Sequence, residues 1–241
     1  MLLYLIAAVI GVSILLIIIF ILLYNRLKTL QVKVAEAAAG IDVALEKRFD
    51  VLTAQAEAVK RYLQHERQTL LDTVHIRAQT DYHMQKQQVA QSTLQAIEQQ
   101  LEWQTRNLHK IKSQMQKTPR YANQKQNTKN MYHGLAGQSQ SIGMLQQMHH
   151  DMEHVGAGFQ ALAEQYPTLQ SWISMDRLQQ SITDTEEHLQ AARRLYNANV
   201  SQYNQTIVSV PWVLVASLFH MKHADFYETE PKKRNIPLHL S

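Results

Sequence analysis

The chain has no cysteine among its 241 residues. That excludes a disulfide framework and thiol catalysis, and it leaves the compartment open. Glycine and proline are scarce, at 7 and 5 residues, and none falls between Ile41 and Thr118. With Ala, Gln, Leu and Glu abundant, this composition favours helix. No Rossmann, P-loop or zinc-finger pattern occurs, and HExxH is absent, which removes the usual metalloprotease reading. Charge is modest: Lys and Arg exceed Asp and Glu by four, for a pI near 9.2. That balance suits an anionic membrane surface or nucleic acid without choosing between them.

Charge is missing altogether from Leu2 to Leu23, where Leu, Ile and Val dominate. About 20 apolar residues in helix match the roughly 30 Å hydrocarbon core of a bilayer. No Lys or Arg precedes the run, and the nearest small-residue cluster, Ala37-Ala38-Ala39, lies far downstream. A retained anchor over 1–24 is expected rather than a cleaved signal peptide. Arg26, Lys28 and Lys33 follow the span. The positive-inside rule then puts the N-terminus outside and the C-terminal bulk in the cytoplasm, on a single pass through the cell (inner) membrane.

Beyond the span, Leu27, Leu30, Val34, Ala37, Ile41, Leu45, Leu52, Ala56, Val59, Leu63 and Leu70 keep a helical period. Helices are expected over 25–64 and 66–117, broken near "YLQHERQTL" because one lone helix would leave its apolar stripe wet. Residues 118–143 lose the period and carry Arg120, Lys125 and Lys129, as a mobile basic linker would. Periodicity returns with Leu145, Met148, Met152, Val155, Phe159 and Leu162, and Tyr166-Pro167 ends it. Gly156 and Gly158 weaken that helix unless a neighbouring backbone approaches closely. A last long helix starts near Ser171 or Ser174, either a candidate N-cap, and runs to Pro211. The first and last soluble helices match at about 40 residues, which suggests an up-and-down bundle.

The last helix repeats the pair Tyr-Asn, at Tyr196-Asn197 and Tyr203-Asn204. Seven residues are close to two helical turns, so both pairs share a face. Ile182, Glu186, Leu189, Arg193, Tyr196, Val200, Tyr203, Ile207 and Val210 extend the stripe into a packing seam. Glu186 and Arg193 sit inside it, while Asp42, Glu46, Arg48 and Asp50 surround the apolar positions of the opening helix. Buried charges are costly unless paired, so a polar seam aligning first and last helices is expected. In it Tyr fills the core, and Asn197 and Asn204 satisfy polar partners beside it. A catalytic carboxylate pair is the rival, but no nucleophile accompanies it.

"YNRLKTLQVKV" (24–34), "IDVALEKRFDVL" (41–52), "VKRYLQHE" (59–66), "YPTL" (166–169) and "TEEHLQAARRLYNANVSQYNQTIVSVP" (185–211) together resemble the LemA family. The resemblance covers about 25–82 and 160–228, two separated blocks in the family's order. It implies a cytoplasmic antiparallel four-helix bundle on one N-terminal span, with no established enzymatic activity. Some relatives are implicated in bacterial membrane organisation and invagination. The family's Pro-Asn pair is replaced here by "DVLTAQAEAV", Phe49 stands where Tyr is common, and residues 83–155 are longer and richer in Gln and His.

Other patterns have a plain reading beside a functional one. In "MHHDMEH" (148–154), His150 and His154 share a helical face, but zinc needs a third ligand and none is indicated, so a polar face is expected. Met144, Met148 and Met152 resemble a flexible binding groove, although their spacing fits core packing better. The Gln-rich stretch 85–104 suits either coiled-coil association or a solvated face. Tyr121 and Tyr132 among basic residues could stack on nucleic acid, yet a membrane-tethered chain more readily meets lipid headgroups. The segment 211–241 contains an apolar core, Trp212 to Phe219, too short to cross a bilayer. Trp212, Leu214, Leu218, Phe219 and Lys222 form a candidate membrane interface, supported by Lys232, Lys233 and Arg234; the alternative is a hydrophobic lid on the bundle.

The sequence thus points to an all-α protein: a transmembrane anchor at 1–24, a LemA-like antiparallel up-and-down four-helix bundle at 25–210, and an apolar and basic C-terminal segment. The expected function is a non-enzymatic scaffold that organises membrane or recruits partners. No catalytic residue, cofactor or metal is expected. Its partners would be the bilayer, further copies and other membrane proteins, with no nucleic acid and no small-molecule substrate. The alternative is a membrane-tethered sensor whose His-rich middle responds to metal or pH.

Overall fold

The computed structural model describes residues 1–76, 81–117, 135–167, 169 and 175–228. Among them are five α-helices and no strand: α1 (Leu2–Ile76), α2 (Asp81–Lys117), α3 (Leu135–Gln165), α4 (Met175–Val208) and α5 (Trp212–Leu218). Two boundaries differ from the sequence expectation. The helix continues through residue 65 without a break and reaches Ile76, because nothing in that stretch stops a helix. The expected linker is shorter at its far end, since α3 begins at Leu135 and residues 135–143 are helical. Residues 118–134, with their basic side chains, and the candidate caps Ser171 and Ser174 lie outside the described residues.

From Leu3 to Leu22 the apolar side chains of α1 are exposed, and this is one helix long and apolar enough to cross a membrane. From Leu27 onward the same helix switches to a buried stripe with a three–four period. The switch follows the sequence: apolar all round becomes apolar on one side as charge enters at Arg26.

The chain divides into two compact units, Met1–Asp42 with Arg120–Gln146 and Gln190–Ser241, and Val43–Pro119 with Gln147–Leu189. In the first, Leu27, Leu30, Val34, Ala38 and Ile41 of α1 are buried, as are Ile142 and Leu145 of α3. So are Tyr196, Val200, Tyr203 and Ile207 of α4, Val215 and Ala216 of α5, and Ala224 and Tyr227 beyond it. Burying each Leu or Ile contributes roughly 1.5–3 kcal/mol. The seam expected to reach Val210 stops at Ile207, and Val210 is 80 % exposed because α4 has ended at Val208.

In the second unit, α1 buries Leu45, Leu52, Ala56, Val59 and Leu63, whereas Leu70 is only half-buried. The α2 stripe is a strict alternation of three and four: Leu94, Ile97, Leu101, Gln104, Leu108, Ile111 and Met115. α3 adds Met148, Met152, Val155, Phe159 and Leu162, so these methionines pack in the core, with Met144 of the first unit half-buried.

The two α3 glycines have different surroundings. A Cβ at Gly156 would make ordinary contact with Leu52 at 3.7 Å. A Cβ at Gly158 would collide with the Gln104 side-chain amide, which is itself buried. The close approach is therefore by a side chain, and not by backbone as the sequence suggests. Gly156→Ala should be neutral or stabilising by up to about 1 kcal/mol through helix propensity. Gly158→Ala should cost about 1–2 kcal/mol, because the trapped amide must move. Urea unfolding midpoints in detergent check the contrast; equal midpoints would mean that Gln104 moves freely.

Candidate functional site

α4 places Tyr196, Asn197, Tyr203 and Asn204 along one side, and the chain returns over them after α5. Residues Met221 to Glu228 form no helix or strand. They lie along α4 in the opposite direction, and the side chains of Tyr196, Asn197, Tyr203 and Asn204 bond to their backbone. The Tyr203 hydroxyl donates to the Lys222 carbonyl at 3.1 Å, and the Tyr196 hydroxyl to the Asp225 carbonyl at 2.8 Å. Asn204 makes a two-way amide pair with Ala224: Nδ2 donates to its carbonyl at 2.9 Å, and its N–H donates to Oδ1 at 2.9 Å. Asn197 does the same with Tyr227, at 3.0 and 2.8 Å.

The repeat of seven has a metric reason. Seven residues of α-helix advance about 10.5 Å. Three residues of nearly extended chain span about 10 Å. The Tyr203-Asn204 pair therefore meets Lys222 and Ala224, and the Tyr196-Asn197 pair meets the equivalent positions three residues further on, Asp225 and Tyr227. The period of three is unlike the period of two in a β-strand, and nearer that of a polyproline II chain. Asn197 and Asn204 thus find their polar partners in the C-terminal segment, and not in the first helix.

Burial pushes the Tyr203 phenol up to about 12 from 10.0. The folded chain keeps a proton that the unfolded chain surrenders first. This contribution to stability is intact below pH 10 and is lost as the pH rises through about 12. Tyr203→Phe should flatten that part of the stability-versus-pH curve, as measured by chemical denaturation at each pH. An unchanged slope would place the titration elsewhere.

α5 joins the clamp to the end of the apolar run of α1. It buries Val215 and Ala216 and exposes Leu214 and Leu218, at 72 and 63 %, and Phe219 just after it is 47 % exposed. Phe219 packs on Tyr24, ring centroids 4.7 Å apart, and on Phe20 at 6.2 Å. Trp212 is half-buried and Lys222 exposed; Lys232, Lys233 and Arg234 fall outside the described residues. The chain turns from α5 into the clamped segment at His220, whose φ of 51° is in the left-handed region.

The expected polar seam is only partly realised. Arg48 is buried and pairs with Glu186, both in the second unit. Arg193, in the first unit, lies over the Tyr227 ring, 4.9 Å from its centroid. Asp42 is half-buried, and Asp50 is exposed, off the buried stripe of α1. His150 and His154 bring Nε2 to Nε2 at 3.0 Å. Among the described residues, no group of three His, Asp or Glu side chains comes together to hold a metal. Asp151 and His154 line a cavity of about 240 Å³ with Trp103, Asn107, Lys110 and Ile111.

These features define a class: a protein whose described elements are all helices, one of them of membrane-spanning length, and whose last long helix clamps a later segment of its own chain. The LemA family profile matches residues 37–147 and 120–238, and the chain belongs to the LemA family. Similar proteins include magnetosome proteins MamQ 1 and MamQ 2 of Paramagnetospirillum magneticum, each 34 % identical over 71 residues. Magnetosome protein MamQ of Magnetospirillum gryphiswaldense is 31 % identical over 71 residues. Each alignment covers 30 % of this chain and 26 % of the relative, so the chain spans about a quarter of the length of the curated relatives it matches. No solved structure matches.

Proposed function

We propose that this protein is a membrane-anchored, non-enzymatic helical scaffold that touches the bilayer twice. The supporting observation is the packing of Phe219 on Tyr24 and Phe20. It puts the exposed apolar face of α5 at the end of the apolar run of α1, at the depth where headgroups would begin. Trp212 suits such an interface and Lys222 suits anionic headgroups. In this reading residues 1–24 are a single pass of a bacterial cell (inner) membrane, the N-terminus is outside, and residues 25–210 are a cytoplasmic antiparallel four-helix bundle. Opposite running of α2 and α3 is supported within the second unit, where Gln100 meets Gln165 and Gln104 meets Gly158. The partners would be lipid, further copies and other membrane proteins. Nucleic acid, small substrates and cofactors have no place in it.

A chain beginning at residue 25 should float with anionic liposomes, more weakly at high salt. The same chain with Trp212→Ser, Leu214→Ser, Leu218→Ser and Phe219→Ser should stay at the bottom. If the parent sinks while folded, α5 is only a lid.

The His150–His154 contact favours a second reading, a metal- or pH-responsive module. Addition of zinc that raises the melting temperature of the wild type, but not of His154→Ala, would move it ahead of the scaffold.

A further inference from the structure

We infer that the cavity between α2 and α3 binds a free α-amino acid with an apolar side chain. Trp103, Asn107, Lys110 and Ile111 recur at helical spacing along α2, so they share one face. Asp151 and His154, three apart on α3, supply the opposite wall. All six residues belong to the second unit, and the space they line is about 240 Å³. Pockets for drug-sized ligands run to about 300–1,000 Å³, so this one suits a smaller molecule.

The chemistry of the lining selects the ligand. Lys110 and Asp151 bring opposite charges to one cavity, yet among the described residues neither forms an ion pair. Asn107 has no side-chain hydrogen bond among them either. The Asp151 Oδ2 atom is shut off from solvent and accepts no hydrogen bond from the described residues. A carboxylate oxygen in that state is costly, and a donor entering the cavity relieves it. A simple cation would also meet Lys110, and a simple anion would also meet Asp151. A zwitterion answers both: its ammonium donates to Asp151 Oδ2, and its carboxylate accepts from Lys110 and Asn107. The Trp103 ring, 51 % exposed, and the buried Ile111 offer the side chain an apolar wall. His154 Nε2 already meets His150, so the ligand needs no bond to it. The amino acid is bound and not transformed, so the inference goes beyond the scaffold reading without giving it a substrate.

The test is isothermal titration calorimetry on the full-length chain in detergent, with L-leucine and L-phenylalanine as probes. Both should bind in the millimolar range or tighter. Isocaproate and hydrocinnamate keep the respective side chains and lose the ammonium, and they should bind about tenfold more weakly. The methyl esters of the two amino acids lose the carboxylate charge and should weaken by a similar factor. Lys110 is exposed and Asp151 half-buried, so substitution at either should leave the helical circular dichroism unchanged. Asp151→Asn should bind leucine and isocaproate alike, because the ammonium has lost its partner. Lys110→Met should bind leucine and its methyl ester alike. Absence of binding by both probes would overturn the proposal. Equal binding of leucine and isocaproate to the wild type would overturn it as well, showing a cleft that takes apolar groups whatever their charge. A full preference for leucine over isocaproate surviving in Asp151→Asn would put the ammonium elsewhere and sink the site. The flotation result for residues 25–241 is independent of all these outcomes.

Discussion

Replacing Asn197 and Asn204 together by Ala should free residues 221–228 from α4 and cost the first unit about 3–5 kcal/mol. Each Asn satisfies one main-chain N–H and one carbonyl, at Tyr227 and Ala224. A buried main-chain group left without its partner costs about 1–3 kcal/mol. Four such groups exceed what the segment gains by staying, so it detaches and takes Ala224 and Tyr227 out of the core. Hydrogen exchange reads this directly: the Ala224 and Tyr227 amides should lose their protection while those of α4 keep theirs. Tyr203→Phe removes a single neutral bond and should cost only about 1 kcal/mol. Preserved protection in the double Asn variant would mean that the two tyrosine hydroxyl bonds and the contacts of Tyr227 suffice to hold the segment.

The second large effect belongs to the Arg48–Glu186 pair. The Arg48 side chain is 9 % exposed and that of Glu186 32 %. Glu186→Ala leaves the guanidinium buried without its carboxylate, and should cost about 3 kcal/mol, the lower part of the range for broken buried pairs because Glu186 keeps some water. Arg48→Met with Glu186→Leu replaces both charges by apolar groups of similar size and should be near neutral. Urea denaturation of the three proteins in detergent separates the outcomes. A neutral Glu186→Ala would show that water reaches Arg48. Arg193, the other charge in the α4 seam, lies elsewhere. Its place over the Tyr227 ring is a cation–π contact, for which about 0.5–1 kcal/mol is expected.

The apolar positions were legible because helical packing repeats in threes and fours. Leu27 through Leu63 on α1, and Tyr196 through Ile207 on α4, are buried where the period puts them. The α2 stripe from Leu94 to Met115 has the same signature but is diluted by Gln, and Gln104 occupies one of its buried places. The cost of burying charge put Arg48 and Glu186 in one polar seam without singling them out as a pair. The partner of the Tyr-Asn repeat did not. "MKHADFYE" has neither a helical nor a strand period, so nothing in the pattern of residues 221–228 marks it as a docked segment. The usable signal was a match between two different periods, Tyr-Asn every seven residues and Ala224 with Tyr227 three apart. The unbroken α1 has an equally physical reason: no Gly or Pro falls anywhere near residue 65, and the argument for a break came from solvent exposure alone.

The seven-to-three correspondence also acts as a vernier, and it constrains insertion and deletion. Peptide without secondary structure ordinarily tolerates changes in length. Here one extra residue between Ala224 and Tyr227 would shift the second contact by about 3.5 Å, beyond hydrogen-bond reach of Asn197. One extra residue between Asn197 and Asn204 would rotate one amide by about 100° around the helix relative to the other. Residues 222–227 should therefore vary in side chain far more readily than in number.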